Sequence, residues 1–186
     1  MPDDDRWSIE PKLDGWRALV FRDEEQGVLL QARTGRLITA HFPDVADAAL
    51  RLPPGTVLDG EIVVWHGGRA DFAAVQRRAL TSEQHAPRLA AEHPAGYAAF
   101  DVLEAEGTDL RARPYAERRA RLLEVLDGLA PSFRPVPATR DRMTALDWWE
   151  RWTPELGVEG LMVKHVSGTY NGGARDWRKV EHWDAH

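Results

Sequence analysis

The sequence contains no cysteine. That excludes a disulfide framework, a thiolate metal site and a thiolate nucleophile. It also lacks any apolar run close to the roughly 20 residues that span a bilayer as a helix. Its opening, Met1-Pro2-Asp3-Asp4-Asp5, carries the wrong charge for a secretory leader. A cytoplasmic location with no membrane contact is therefore the expectation. The seven histidines show no metal-ligand spacing and read as surface or packing residues. The scarcity that teaches most is that of lysine. Of 24 basic side chains only Lys12, Lys164 and Lys179 are lysine, and all the others are arginine. A primary amine can lose its proton and attack an electrophile, whereas a guanidinium stays protonated and is a poor nucleophile. Positions that kept lysine are thus candidates for chemistry that needs an amine, weighed against the plainer reading of leftovers on a solvated surface.

The chain of 186 residues is long enough for one domain, or one large domain with a small appendage, and for a substantial core. Its 43% hydrophobic and 29% charged content suits a globular protein in water. A formal net charge of −6 argues against strong autonomous duplex binding, which normally shows a basic footprint.

Trp7 to Glu10 alternates as a strand leading into a turn at Lys12. Trp16 to Phe21 and Val28 to Ala32 read as two further strands around a polar turn. Phe42 to Leu50 forms a short helix closed by Pro53-Pro54-Gly55. Thr56 to Trp65 is a β-rich run with a hairpin turn at His66-Gly67-Gly68, and Asp71 caps a helix from Phe72 to about Leu80. Ser82 to Pro94 is a helix or a loop. Tyr97 to Leu103 is an apolar strand carrying one acid, Asp101. Pro114 to Leu129 has helical spacing, and Pro131, Pro135 and Pro137 mark an extended connector. Thr144 to Leu156 is an amphipathic helix whose tryptophans belong to packing. Val158 to Val166 and Asp176 to Trp183 are the last strands. Without regular βαβ alternation, the class is α+β, with largely antiparallel sheets flanked by helices.

Several stretches carry chemistry. Glu10-Pro11-Lys12-Leu13-Asp14-Gly15-Trp16-Arg17 combines an amine, a turn glycine and an arginine, although K-x-D-G alone also occurs on plain surface turns. Asp59-Gly60-Glu61 puts carboxylates in an apolar strand, where they need a cation, a donor or solvent; a strand-edge turn is the other reading. Phe100 beside Asp101 offers an aromatic face to a base or simply to the core. In Glu159-Gly160-Leu161-Met162-Val163-Lys164, alternation sets Glu159 with Leu161 and Val163, and Met162 with Lys164 on the opposite face. Trp177 and Lys179 share a face by the same rule.

In this order the stretches resemble the covalent nucleotidyltransferases, specifically the ATP-dependent DNA ligases of the bacterial repair type, including the ligase modules of end-joining enzymes. The likeness runs from Glu10 to Val180 and extends to Asp71-Phe72, Gln76-Arg77-Arg78, Asp109-Leu110, Pro114-Tyr115 and Glu117-Arg118-Arg119. It implies a ligase-type nucleotidyltransferase (ATP-grasp-like) fold over residues 1–183, acting in DNA repair and recombination with ATP and Mg²⁺ or Mn²⁺. Lys12 would be the catalytic nucleophile, its pKa lowered by metal and cationic neighbours, forming lysyl-AMP. Glu10 would accept the adenine amino group, with Pro11 and Leu13 beside it in the nucleotide site. Phe100 and Met162 would sandwich the purine. Arg17 and Arg33 would hold ribose or phosphate, and Lys164 and Lys179 would neutralise the α-phosphate. Glu61 and Glu159 would serve ribose and metal, supported by Asp59. The partners implied are ATP and nicked duplex DNA, weakly held by this chain alone.

The likeness departs at Glu181, where the family usually carries a second basic residue, and at His186, where the family continues into an OB-fold domain. An excised domain and a stand-alone form served by an OB-fold or repair partner in trans both fit that ending. An RNA ligase or capping enzyme, and a non-catalytic nucleotide-binding module, are the competing readings. An NAD⁺-dependent ligase is disfavoured by the few residues before Glu10.

Overall fold

The computed structural model describes residues 5–172 and 177–181, with the backbone alone for Pro154 and Glu181. Among the described residues the chain forms two sheets with helices outside them. In chain order the first elements are β1 (Trp7–Leu13), β2 (Trp16–Asp23), β3 (Gly27–Ala32), α1 (Pro43–Ala49), β4 (Thr56–His66), β5 (Arg69–Ala70), α2 (Phe72–Leu80) and α3 (Ala86–Glu92). They are followed by β6 (Ala95–Ala105), β7 (Thr108–Asp109), α4 (Tyr115–Leu126), β8 (Phe133–Pro135), α5 (Arg142–Asp147), α6 (Thr153–Leu156), β9 (Val158–His165) and β10 (Arg178–Glu181).

The larger sheet runs β3-β2-β4-β6-β7, with β5 on β4 and β8 on β6. The smaller sheet runs β1-β9-β10. The described pairings are antiparallel except that of β6 with β8, so the expected class holds. Alternation on β2 sends Ala18 and Val20 to the helix side, where they meet Leu30, Leu58, Ile62, Phe42, Val75 and Leu122 in the main core. The smaller sheet buries Ile9, Leu161 and Val163 against Ala145 and Trp148 on its outer face. Those tryptophans are packing groups, as expected. The remaining faces of the two sheets meet across a cleft.

Three details differ from the sequence reading. Lys12 lies within β1 rather than on a turn, and Asp14-Gly15 makes the turn. A Cβ on Gly15 would stand 2.6 Å from the Ile62 carbonyl oxygen, so only glycine lets the chain pass this close to β4 on its way between sheets. Residues 144–156 do not form one regular helix: a π turn at Trp148–Trp152 separates α5 from α6. Pro154 lacks the N–H that a continuous α-helix would use there. β6 exceeds the expected strand at both ends, whereas α3 falls within the 82–94 stretch for which a helix is one of the two readings. For the last strand, Asp176, His182 and Trp183 lie outside the described residues.

Candidate active site

The site is built by strand alternation on both sides of the cleft. On β1, Ser8, Glu10 and Lys12 share a face, and Ile9 and Pro11 take the other. Lys12 stands opposite Gly160, Glu10 opposite Met162, and Met162 opposite Lys179 of β10. On the larger sheet Arg17 is registered with Glu61, and Leu19 with Asp59. A cavity of about 940 Å³ lies between the sheets, lined among others by Arg17, Arg33, Asp59, Met162, Tyr170, Trp177 and Lys179. That is the size range of small-molecule sites.

At one end Lys12 forms an ion pair with Glu159. Simple alternation would have put Glu159 on the far face. The pairing of β1 with β9 shifts register between Lys12 and Leu13, and this irregularity brings the carboxylate round to the amine. Glu61 stands close enough for Lys12, Asp14, Arg17 and Asp59 to act on its charge. Its Oε2 is buried with no hydrogen-bond partner, and burial pushes its carboxyl up to about 8. Burial also raises Asp14, against the pull of Lys12. Carboxylates of Glu159, Asp14 and Glu61 therefore stand around Lys12. The reason is the tight Asp14-Gly15 crossing, which packs this end of β1 directly against Glu61.

In the middle, Arg17 donates twice to Asp59, from Nε to Oδ1 at 3.0 Å and from Nη2 to Oδ2 at 2.6 Å. Tyr170 Oη donates to the same Oδ2 at 2.7 Å. Asp59 is fully buried and committed to these two donors, so it supports Arg17 rather than the acids Glu61 and Glu159. The neighbouring glycine is equally constrained: a Cβ on Gly60 would meet the Tyr97 ring at 2.6 Å.

The other end is closed and aromatic. Lys164 Nζ lies 2.8 Å from Glu10 Oε2 and donates to the Phe100 carbonyl at 3.0 Å. The same amine sits 4.9 Å from the ring centres of Phe100 and Tyr115 and 4.2 Å from that of Trp177. Tyr115 Oη donates to Glu10 Oε1. Lys164 and Glu10 are only 1% and 2% exposed. Lys164 is in register with Ser8, four residues along β1 from Lys12, or about 13 Å at strand rise. Lys164 therefore belongs with Glu10 and not with Lys12, because a buried ammonium takes the partners that surround it. Phe100 does not line the cavity; Trp177 stands edge-on to it at 5.5 Å.

Of the residues singled out from sequence, Arg17, Arg33, Met162 and Lys179 line the cavity. Lys12, Glu61 and Glu159 form one group and Glu10, Phe100 and Lys164 a second, and none of these six lines the cavity itself. Pro11 alternates away with Ile9, and Leu13 falls at the register shift; neither lines the cavity. Glu181 pairs through its backbone with Gly160, opposite Lys12, while its side chain lies outside the described residues. Sequence reasoning missed Tyr170 and the roles of Tyr115 and Asp101. Asp101 receives Arg118 at 2.8 and 2.9 Å in a fully buried pair. Helical spacing and the family likeness both include Tyr115 without giving it a role, and nothing in the pattern around Tyr170 points to it.

The acids fit a hard cation. Among the described residues no cluster of three or more His, Asp or Glu side chains forms a metal cage. Mg²⁺ is commonly held by one or two carboxylates, with water and phosphate oxygens completing its shell. Glu159 and the orphaned Glu61 oxygen supply that donor set. No helix among the described residues is long and apolar enough to cross a membrane.

The family model described as ATP dependent DNA ligase domain matches residues 3–181. DNA ligase C2 of Mycolicibacterium smegmatis is 39% identical over 176 residues, covering 94% of this chain and 49% of the relative. DNA ligase C of Mycobacterium tuberculosis is 37% identical over 181 residues, covering 94% and 50%. The chain thus spans about half the length of these curated relatives. The ligase domain of M. tuberculosis LigD superimposes with a TM-score of 0.76 at 27% identity, covering 96% of this chain and 55% of that one. A mycobacterial DNA ligase D complexed with ATP and MES gives 0.70 at 26% identity, with 96% and 55% covered.

Proposed function

We propose a chemistry from one premise: the chain belongs to the ATP-dependent DNA ligase domain family. Lys12 is the nucleophile. Its uncharged amine attacks the α-phosphorus of ATP, a P–N bond forms, and the bond to the bridging oxygen of the β-phosphate breaks. Pyrophosphate leaves with the electron pair, and the nitrogen gives up a proton as lysyl-AMP forms. The AMP then passes to the 5′-phosphate of nicked duplex DNA, and the 3′-hydroxyl displaces it to seal the strand in DNA repair and recombination. The observation that carries this reading is the grouping of Lys12 with Glu159 and Glu61, which Arg17 joins to the cavity it lines with Arg33 and Lys179.

Each group has a task that follows from its surroundings. Arg17, held by Asp59, and Arg33 grip ribose and phosphate oxygens. Lys179 offsets charge that develops at the α-phosphate. Glu10 accepts from the adenine amino group, and Lys164 donates to the neighbouring ring nitrogen, a pairing that suits the adenine edge. The purine lies between Phe100 and Met162, with Trp177 giving way. Glu61 and Glu159 would hold Mg²⁺ or Mn²⁺. The chemistry a divalent cation supplies there is charge: with Glu159 neutralised, Lys12 no longer needs its proton to balance it. With a net charge of −6 this chain grips duplex weakly by itself, so an OB-fold or repair partner supplies the remaining contacts.

The test is covalent labelling. Wild-type protein incubated with Mg²⁺ and α-labelled ATP retains acid-labile label after denaturation, and both Lys12→Ala and Lys12→Arg lose it. Label that survives Lys12→Arg would place the nucleophile elsewhere and end this reading.

A further inference from the structure

Glu10 can tell an amino group from an oxo group only if its carboxylate is fixed in place and presents nothing but acceptors. Two donors surround it, one per oxygen: Lys164 on Oε2 and the Tyr115 hydroxyl on Oε1. The lysine comes from β9 of the same sheet. The phenol comes from outside that sheet, on the first turn of α4, and its placement there is strongly determined. Tyr115 N donates to the Gly168 carbonyl at 2.8 Å, and Ala116 N to that of Val166 at 2.9 Å. One turn on, Arg118 bonds both oxygens of Asp101 on β6 and also reaches the Gly168 carbonyl at 3.0 Å. The start of α4 is therefore tied to both sheets at once. Tyr115 itself is 3% exposed, its ring contacts the Lys164 ammonium, and burial beside Glu10 raises its hydroxyl well above the ordinary phenol range, so it stays a donor.

We propose that Tyr115 is a positioning residue for nucleotide selection: its hydroxyl locks Glu10 as an acceptor-only group, so that the site takes a 6-amino purine and rejects a 6-oxo purine. This rests on the adenylation reading above. The energetic logic is asymmetric. A 6-oxo group facing that carboxylate sets acceptor against acceptor in a buried place, and a site with unpaired buried polar groups discriminates strongly. Once the phenol oxygen is gone, Oε1 lacks its donor. The carboxyl can then turn about its remaining contact with Lys164 and no longer faces the purine edge with a fixed acceptor.

The experiment compares lysyl-nucleotide formation from α-labelled ATP and α-labelled ITP, which differ at the purine 6-position and in the proton that hypoxanthine carries on the adjacent ring nitrogen. Wild type, Tyr115→Phe, Glu10→Gln and the double variant are measured, with thermal unfolding as a check on each. Tyr115→Phe keeps the ring and its packing, so the hydroxyl alone is tested. The expected result is a rise of about tenfold in the ITP-to-ATP rate ratio, the size of one hydrogen bond to a charged group. The double variant should match Glu10→Gln alone, because Tyr115 acts through Glu10. A purely structural tyrosine would lower stability and leave the ratio where it was. An unchanged ratio, or effects of the two substitutions that multiply, overturns the proposal while ATP labelling of Lys12 leaves the adenylation reading standing. Wild type that takes no label from ATP overturns both.

Discussion

The two ends of the cleft solve opposite problems with the same residue types. At the Glu10 end, a lysine and a glutamate are 1% and 2% exposed, both carboxylate oxygens have a donor, and the ammonium has two oxygen acceptors. At the Lys12 end, lysine and glutamate are 20% and 40% exposed, and the neighbouring Glu61 keeps a buried oxygen without any partner. A saturated ion pair is a template: it reads the shape and edge of what enters. An unsaturated cluster is a reagent, holding spare acceptor capacity for a cation and an amine that can change partners. The difference lies in completeness of solvation by protein and not in amino-acid identity.

That contrast makes a large prediction about stability. Lys164→Ala strands the Glu10 carboxylate in a buried site and should destabilise the fold by about 3–5 kcal/mol. Lys12→Ala removes a partner from a carboxylate that water reaches, and should cost no more than about 1 kcal/mol. Urea unfolding of the two variants measures both. Equal losses would erase the distinction between template and reagent.

How much of this was legible beforehand follows from which forces are local. Alternation put Met162 and Lys164 on one face of β9, and turned Trp177, just before β10, to the cavity with Lys179, because a strand's period of two needs no knowledge of the fold. The Asp71 cap was legible for the same reason: its side chain accepts from Ala74 N at 2.9 Å, a contact three residues away. Pairings across the fold were not legible. Glu159 reaches Lys12 through a register shift that involves both strands, Asp59 turns to Arg17 and Tyr170 through long-range closure, and Lys164 finds Glu10 only once Tyr115 and Phe100 have enclosed it. The family likeness named these residues together, and the geometry separates Lys12, Glu61 and Glu159 from Glu10, Phe100 and Lys164.

The next effect is smaller and depends on pH. Glu61 titrates at about 8 in the folded chain against an ordinary value near 4.5. The folded state thus holds this proton more tightly than the unfolded state. Stability from this group is complete below about pH 4.5, declines as pH rises, and is gone above about 8. The total is on the order of 2 kcal/mol, less than the full shift implies, because water and the nearby Arg17 and Lys12 relax around the charge. Metal-free protein should therefore lose stability between pH 5 and 8, and Glu61→Gln should flatten that slope. A slope that survives in Glu61→Gln would mean the orphaned oxygen is satisfied in solution.

The smallest effect tests the middle of the cleft, where the two designs meet. Asp59 is saturated like Glu10, yet the group it holds, Arg17, has a side chain 40% exposed and lines the cavity. Tyr170 supplies one of the three donors on Asp59, and its phenol is raised by burial and by the adjacent carboxylate, so it donates across the working pH range. Tyr170→Phe removes that donor and leaves both Arg17 bonds in place. The loss should be about 1 kcal/mol of support for the arginine's orientation, seen as a roughly fivefold weaker ATP affinity with little change in the rate of lysyl-AMP formation at saturation. A variant that slows the saturated rate instead would put Tyr170 among the groups acting on the phosphate. Arg17 would then belong functionally to the Lys12 end, and the boundary between the two halves of the cleft would move by one residue.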